Sequence, residues 1–228
     1  MPRPPAPSDP KAMPWPPLRA GDLIGFSSFS IAGAAINLGT WGIPFWDLSH
    51  VAIVVPHPFV PGSLALCEST SECDEDCLVA GCRVSGVQWH EVGPRVTAYL
   101  GRAWLYRLRR QTDKQPQRLA VYCNDCGGLS YDAIGAWRAR DLPLSWIERR
   151  LGWWPENLHA LFCSELAAAA WRAAGLWDPP DASAWSPNRL CRTAVDTGLC
   201  GRPLRLYREG APPTRVPRDN PQPLTPDP

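Results

Sequence analysis

Charge of a prevailing sign is missing from this chain. Twenty-three basic side chains stand against twenty-two acidic ones, a formal net charge of +1, so no global field draws the protein to nucleic acid or to an anionic lipid surface. Nucleic acid is therefore not expected as a partner. Long apolar runs are missing as well. Stretches such as 51–55 and 166–171 fall far short of the ~20 residues a bilayer-crossing helix needs, and no stable membrane insertion is expected. An apolar helical stretch is also absent from Met1-Pro2-Arg3-Pro4-Pro5-Ala6-Pro7, where a secretory signal would place one. The expectation is a cytoplasmic protein, with delivery elsewhere by a phage particle or a non-classical route as the alternative. No internal repeat is visible.

What is present suits one compact domain. With 228 residues, 45% of them hydrophobic, a substantial core can be buried and two full domains would be cramped. Residues 1–17 and 209–228 are dense in proline and read as extended tails, solvated or offered as ligands to a partner. Between them lies a domain at 18–208. Its first half reads as strands: Gly21-Asp22-Leu23-Ile24-Gly25-Phe26, the run from His50 to Val55, then 63–68, 86–92 and 103–108, with short helices at 30–38 and 94–100. The second half reads as helices at 117–123, 133–140, 145–151 and 162–174. Gly175 caps the last of these, and Ser186-Pro187 opens one more before a final strand at 203–207. Strands grouped first and helices later predict an α+β fold, a small antiparallel sheet packed against a late helix.

Nine cysteines are many for such a protein, and an odd count leaves at least one thiol unpaired in any redox state. Were the other eight paired, the ninth would be the reactive one; a reducing compartment would keep most as thiols. Cys73, Cys77 and Cys82 fall in an acidic loop, and Cys123-Asn124-Asp125-Cys126 adds a C-x-x-C pair. Structural zinc or a disulfide cluster drawn from these five competes with simple reduced thiols, because only the C-x-x-C has zinc-knuckle spacing. No cofactor is otherwise implied. Twelve tryptophans read mostly as packing residues, although Trp41 and Trp46, just ahead of His50, are candidates for lining a substrate groove.

In Leu161-Phe162-Cys163-Ser164-Glu165-Leu166-Ala167 a cysteine stands at the mouth of an alanine-rich helix, where unpaired backbone N–H groups and the helix dipole favour thiolate. In Ser49-His50-Val51-Ala52-Ile53-Val54-Val55 a histidine leads a β-branched strand, and Glu68 lies on the next one. Cysteine, imidazole and carboxylate together make a candidate triad. Each also has a bland reading: a packed cysteine, a surface histidine, a solvated strand-end carboxylate. Glu72 and Glu91 are rivals to Glu68, which its position on the following strand favours.

These patterns, with Gly21-Asp22-Leu23-Ile24 before the histidine strand, Tyr131-Asp132 ahead of the cysteine helix and Ser186-Pro187-Asn188-Arg189-Leu190 after it, resemble the circularly permuted branch of the NlpC-type papain-like cysteine hydrolases, particularly the YiiX-like group. The resemblance implies a permuted papain-like fold in which histidine precedes cysteine along the chain, a triad being defined by geometry and not by order. It implies Cys163 as nucleophile, His50 as base and Glu68 as the group that orients the imidazole. For the oxyanion it implies the Cys163 N–H together with the Tyr131 hydroxyl, a tyrosine whose alternative is to fill the core. The expected activity is hydrolysis of an amide, thioester or ester through an acyl-enzyme, with a peptide amide such as a peptidoglycan stem peptide as default substrate. The alternatives are an acyltransferase of the lecithin-retinol type and a non-catalytic module of a phage particle or larger assembly.

Overall fold

Residues 15–28, 48–71, 75–99, 101–131, 160–178, 182 and 185–206 are described by the computed structural model. The proline-dense ends 1–14 and 207–228, the helices expected at 30–38, 133–140 and 145–151, and Trp41, Trp46, Glu72, Cys73 and Asp132 lie outside them.

Alternating or continuous β-branched and apolar stretches form the strands, as their side-chain period requires. In chain order they are β1 (Leu23–Ser28), β2 (His50–Pro56), β3 (Leu64–Thr70), β4 (Gly86–Glu91), β5 (Gly101–Tyr106) and β8 (Leu204–Leu206). All six join one sheet in the order β4-β3-β2-β1-β5-β8, every neighbouring pair antiparallel. Two residues each from β6 (Ser130–Tyr131) and β7 (Ala160–Leu161) make a separate parallel pair. The described helices are α1 (Val92–Ala98), α2 (Gln115–Asp125), α3 (Cys163–Ala174) and α4 (Pro187–Asp196). The α+β class expected from the sequence is thus what the chain adopts. The helix expected at 94–100 begins two residues earlier, directly after β4, because Glu91 closes the strand with extended backbone and the chain turns helical at once.

The sheet is buried on both faces. Val51, Ile53, Val55, Ala65, Cys67, Val87 and Trp89 face one way and pack with α2, α3 and α4, through Leu119, Leu166, Trp171 and Leu190 among others. Ile24, Phe26, Ala52, Val54, Leu66 and Leu105 face the other way and are covered by Val92 and Val96 of α1. This double burial explains why β2 reads as an unbroken apolar run instead of an alternating one. Four consecutive alanines, Ala167 to Ala170, are all buried in α3, so the helix is enclosed all round, the pattern of a central element. It stops where Gly175 takes a left-handed conformation, φ 67°, and the Leu176 N–H closes on the Trp171 carbonyl at 2.9 Å, as in a Schellman motif. Ser186 caps α4 by accepting the Arg189 N–H at 3.3 Å.

The entry to β1 is held just as firmly. Gly21 has φ 88°, its N–H bonds the Val54 carbonyl at 2.6 Å, and its own carbonyl accepts the Trp171 indole N–H at 2.8 Å. A Cβ there would lie 2.5 Å from a Leu108 methyl, so conformation and space both require glycine. Asp22, buried beside it, accepts the N–H groups of Arg19 and Leu108, each at 2.9 Å. Burial raises its pKa, against the pull of those two donors. The Gly-Asp pair is thus a clasp between β1, the end of β5 and α3.

Candidate active site

The position of the site follows from where one ladder stops. β2 and β3 pair from Pro56↔Leu64 to Ile53↔Cys67 and no further. In an antiparallel pair, alternate residues turn their N–H toward the same neighbour. Val54 faces β1, donating to the Asp22 carbonyl at 2.8 Å, so Val51 faces the β3 side, beyond the end of the ladder. There its N–H bears on the sulfur of Cys163 and helps to hold the thiol below its ordinary pKa. The first residue of α3 therefore docks into the fork between two strands.

His50 sits at that fork. By alternation its side chain shares the face of Ala52 and Val54, and Phe26, directly opposite on β1, tilts against the ring with centroids 5.7 Å apart. Nε2 bonds Glu68 Oε2 at 2.5 Å, and the imidazole lies close enough to Cys163 for each to shift the other's pKa. With Nε2 engaged by the carboxylate, Nδ1 is the nitrogen left for the sulfur. Cys163, His50 and Glu68 thus form one continuous relay. The His50 side chain is 13% exposed and Cys163 6%, so both reacting groups are largely withdrawn from solvent.

The electrostatics favour an ion pair. Burial alone would raise the Cys163 thiol; the His50 imidazolium, the hydrogen bond from its ring and the N–H groups of Val51 and Ser164 together outweigh burial and bring the thiol below its ordinary value. For His50, burial opposes the charged ring, yet the Cys163 thiolate and then Glu68 carry its pKa up to about 9. The remaining cysteines with shifted thiols go the other way. Burial pushes Cys67 and Cys191 well up, Cys126 to about 11 and Cys200 to about 12. Among these five described thiols Cys163 alone moves toward thiolate, the condition for a sulfur nucleophile.

Glu68 is not the solvated strand-end carboxylate that the sequence left as its alternative. It is wholly buried, and β3 runs two residues past it. Four donor atoms meet its two oxygens: His50 Nε2, His90 Nδ1 at 2.7 Å, Arg95 Nε at 2.6 Å and Arg95 Nη2 at 3.1 Å. Burial would raise its pKa; Arg95, then the hydrogen bonds from His50 and His90, hold it well below the usual carboxylate range instead. The rival Glu91 bonds His57 at 3.0 Å and takes no part in this set; Glu72 lies outside the described residues.

His90 and Arg95 are not among the residues that the sequence singles out. Both become adjacent to Glu68 only through pairing: β4 sets Gln88 opposite Glu68, so His90 is its diagonal neighbour, and α1 lies over that face. The signal available was the His90 alternation with Gln88 on one strand. Asn188 belongs to the Ser186–Leu190 motif, whose sequence assigns it no role. Its side chain accepts the Leu48 N–H at 2.8 Å and donates to the Leu48 carbonyl at 3.3 Å, fixing the chain two residues before His50.

Around the nucleophile, the Glu165 carboxylate reaches back to the Phe162 N–H at 3.4 Å, the returning half of a capping box. The Ser164 hydroxyl bonds the Trp185 carbonyl at 2.5 Å. The Cys163 N–H, in the first turn of α3, is free of the intrahelical ladder by position. Tyr131 is half-buried and pairs with Leu161, two residues before Cys163, so the β6–β7 pair brings it beside the chain that enters the helix.

Of the metal candidates, Cys73 lies outside the described residues. Cys82 is exposed; Cys77 is buried, its sulfur taking the Trp89 N–H at 3.4 Å. Cys123 and Cys126 are buried on α2 and at its end, Cys123 hydrogen-bonded to Cys67. Among the described residues no three His, Cys, Asp or Glu side chains converge as a metal site, and the eight described cysteines form no disulfide. Among them, too, no helix is long and apolar enough to cross a membrane.

No family model matches the sequence, and a comparison with curated proteins finds no match. Among solved structures, the chain is similar to the crystal structure of metalloprotein yiiX from Escherichia coli O157:H7, with 18% identity and a TM-score of 0.45. The similarity covers 69% of this chain and 66% of that one, just under two thirds of its length.

Proposed function

We propose that this chain is a cysteine hydrolase of the circularly permuted papain-like kind, cleaving an amide, thioester or ester bond through an acyl-enzyme on Cys163. The observation that carries the reading is the relay of thiol, imidazole and buried carboxylate at the mouth of α3, with thiol and imidazole both shifted toward the ion pair.

In this mechanism the Cys163 thiolate adds to the substrate carbonyl carbon, and the carbonyl oxygen takes up the negative charge within reach of the Cys163 N–H and, in this proposal, the Tyr131 hydroxyl. His50 gives its proton to the leaving amine, thiol or alcohol as the C–N, C–S or C–O bond breaks. Water then attacks the thioester; His50 takes one of its protons, and the acid departs with the thiolate restored. Glu68 holds Nε2 throughout, so the ring keeps Nδ1 toward the sulfur. The resemblance to the permuted hydrolases makes a peptide amide, such as a peptidoglycan stem peptide, the first substrate to try.

The test is alkylation of Cys163 by iodoacetamide, followed by mass spectrometry across pH. The expected result is a rate well above that of an ordinary thiol at pH 6 to 7, lost in His50→Ala. A rate that tracks an ordinary thiol and ignores His50 would instead favour a scaffold role. Incubation with an activated ester then separates the two enzymatic alternatives: release of acid in water alone indicates a hydrolase, whereas turnover only with an added amine or alcohol acceptor indicates an acyltransferase.

A further inference from the structure

A carboxylate without contact to water is stable as an anion only when fixed donors replace the lost hydration. Glu68 has such donors, but they are not equivalent. His50 and His90 each supply one, from strands on either side. Arg95 supplies two from above, across α1, and its side chain is 9% exposed. The guanidinium lies over the rings of Phe26 and Tyr99, 5.7 and 5.6 Å from their centroids. Those rings are themselves packed 4.6 Å apart, and Phe26 also touches His50. Arg95 is thus locked by stacking before it reaches the carboxylate, and its two-pronged grip leaves Glu68 one orientation, the one that puts Oε2 on His50.

We infer that Arg95 is a positioning residue for the Cys163–His50 pair, acting on the thiol at second hand by fixing the buried Glu68 carboxylate that holds the imidazole. The inference rests on the hydrolase reading and deepens it: the reacting set extends from α3 through β2 and β3 to α1. The titratable and charged groups facing Glu68 are His50 from β2, His90 from β4, Arg95 from α1 and Glu75 from the loop ahead of β4, whose carboxyl interacts with Arg95, His90 and Glu68. Those facing the sulfur are His50 and, from α4, Cys191.

The experiment is the pH profile of Cys163 alkylation by iodoacetamide in the full chain, compared across wild type, Arg95→Met, Arg95→Lys, Glu68→Gln and the double variant Arg95→Met/Glu68→Gln. Removal of the guanidinium is expected to move the midpoint of the acid limb up by about one pH unit, roughly a tenfold loss of rate below it. Arg95→Lys keeps the charge but not the fork, and should fall between wild type and Arg95→Met. In the Glu68→Gln background, Arg95→Met should add no further shift. The double variant leaves no lone buried charge, so its comparison with Glu68→Gln, and that of Arg95→Lys with wild type, decide the matter even if Arg95→Met does not fold. An unchanged profile in Arg95→Lys, or a full further shift in the double variant, overturns the inference and leaves the hydrolase reading intact. A wild-type thiol that reacts as an ordinary one removes that reading, and the inference with it.

Discussion

Asn188 treats Leu48 as a neighbouring strand would: its amide oxygen accepts the Leu48 N–H and its amide nitrogen donates to the Leu48 carbonyl, at 2.8 and 3.3 Å. The pair is buried and spans most of the chain, so α4 holds the segment that leads into His50. Asn188→Ala leaves two buried backbone groups unpaired, and about 2 kcal/mol of stability should be lost. Urea unfolding measures that. The alkylation rate of Cys163 in the same variant should fall too, because His50 loses its anchored approach. A stability loss with an unaltered rate would limit Asn188 to the fold.

Hydrolysis should have an alkaline limb set by His50. Its pKa is raised to about 9 by the thiolate and Glu68 against burial, so the proton that the leaving group needs is present at neutral pH and lost as pH rises through about 9. The rate of amide cleavage should therefore decline above that value. An activated ester, whose leaving group needs no proton, should lack the decline. The two profiles can be compared on one preparation.

Acid should unfold the protein through Glu68. Its folded pKa lies below the ordinary value of 4.5, so its contribution to stability is in place above about 4.5 and is lost as pH falls through the lower folded value. Each unit of depression is worth about 1.4 kcal/mol. Urea midpoints taken between pH 7 and 3 should drop steeply at the acid end in wild type. Glu68→Gln should start lower, because Arg95 is left buried without its partner, and should show a shallower acid drop.

Gly21→Ala tests the clasp at the start of β1. An alanine there would hold φ near 88° and place its methyl against Leu108. A loss of about 2 kcal/mol is expected by thermal or urea unfolding. Asp22→Asn keeps one acceptor oxygen but sets its amide NH2 against the second of the Arg19 and Leu108 N–H donors, so it too should lose stability.

Much of this arrangement was legible in the residues because it depends on local signals. An apolar run headed by histidine, a cysteine before consecutive alanines, and glycine or serine at the proper helix ends each report a structure within a few residues of themselves. Those signals located β1 to β5, α3 and α4 to within a residue or two, and singled out Cys163, His50 and Glu68, which share one place in the fold. What could not be read depends on register. The burial of Glu68, and its choice of Arg95 among many arginines, follow from β3 pairing with β4 and from α1 folding back over that face. The partnership of Asn188 with Leu48 is of the same kind, since an amide carries no mark of the backbone it will meet.

The early end of the β2–β3 ladder ties the chemistry to the architecture. Since the Val51 N–H bears on the sulfur that is itself the proposed point of attack, a group carried there changes the surroundings of that amide, just beyond the last rung of the β2–β3 ladder. An acylated protein would then differ from the resting one at the leading end of β2, and the chemical shift of the Val51 amide would register the acyl group from inside the framework.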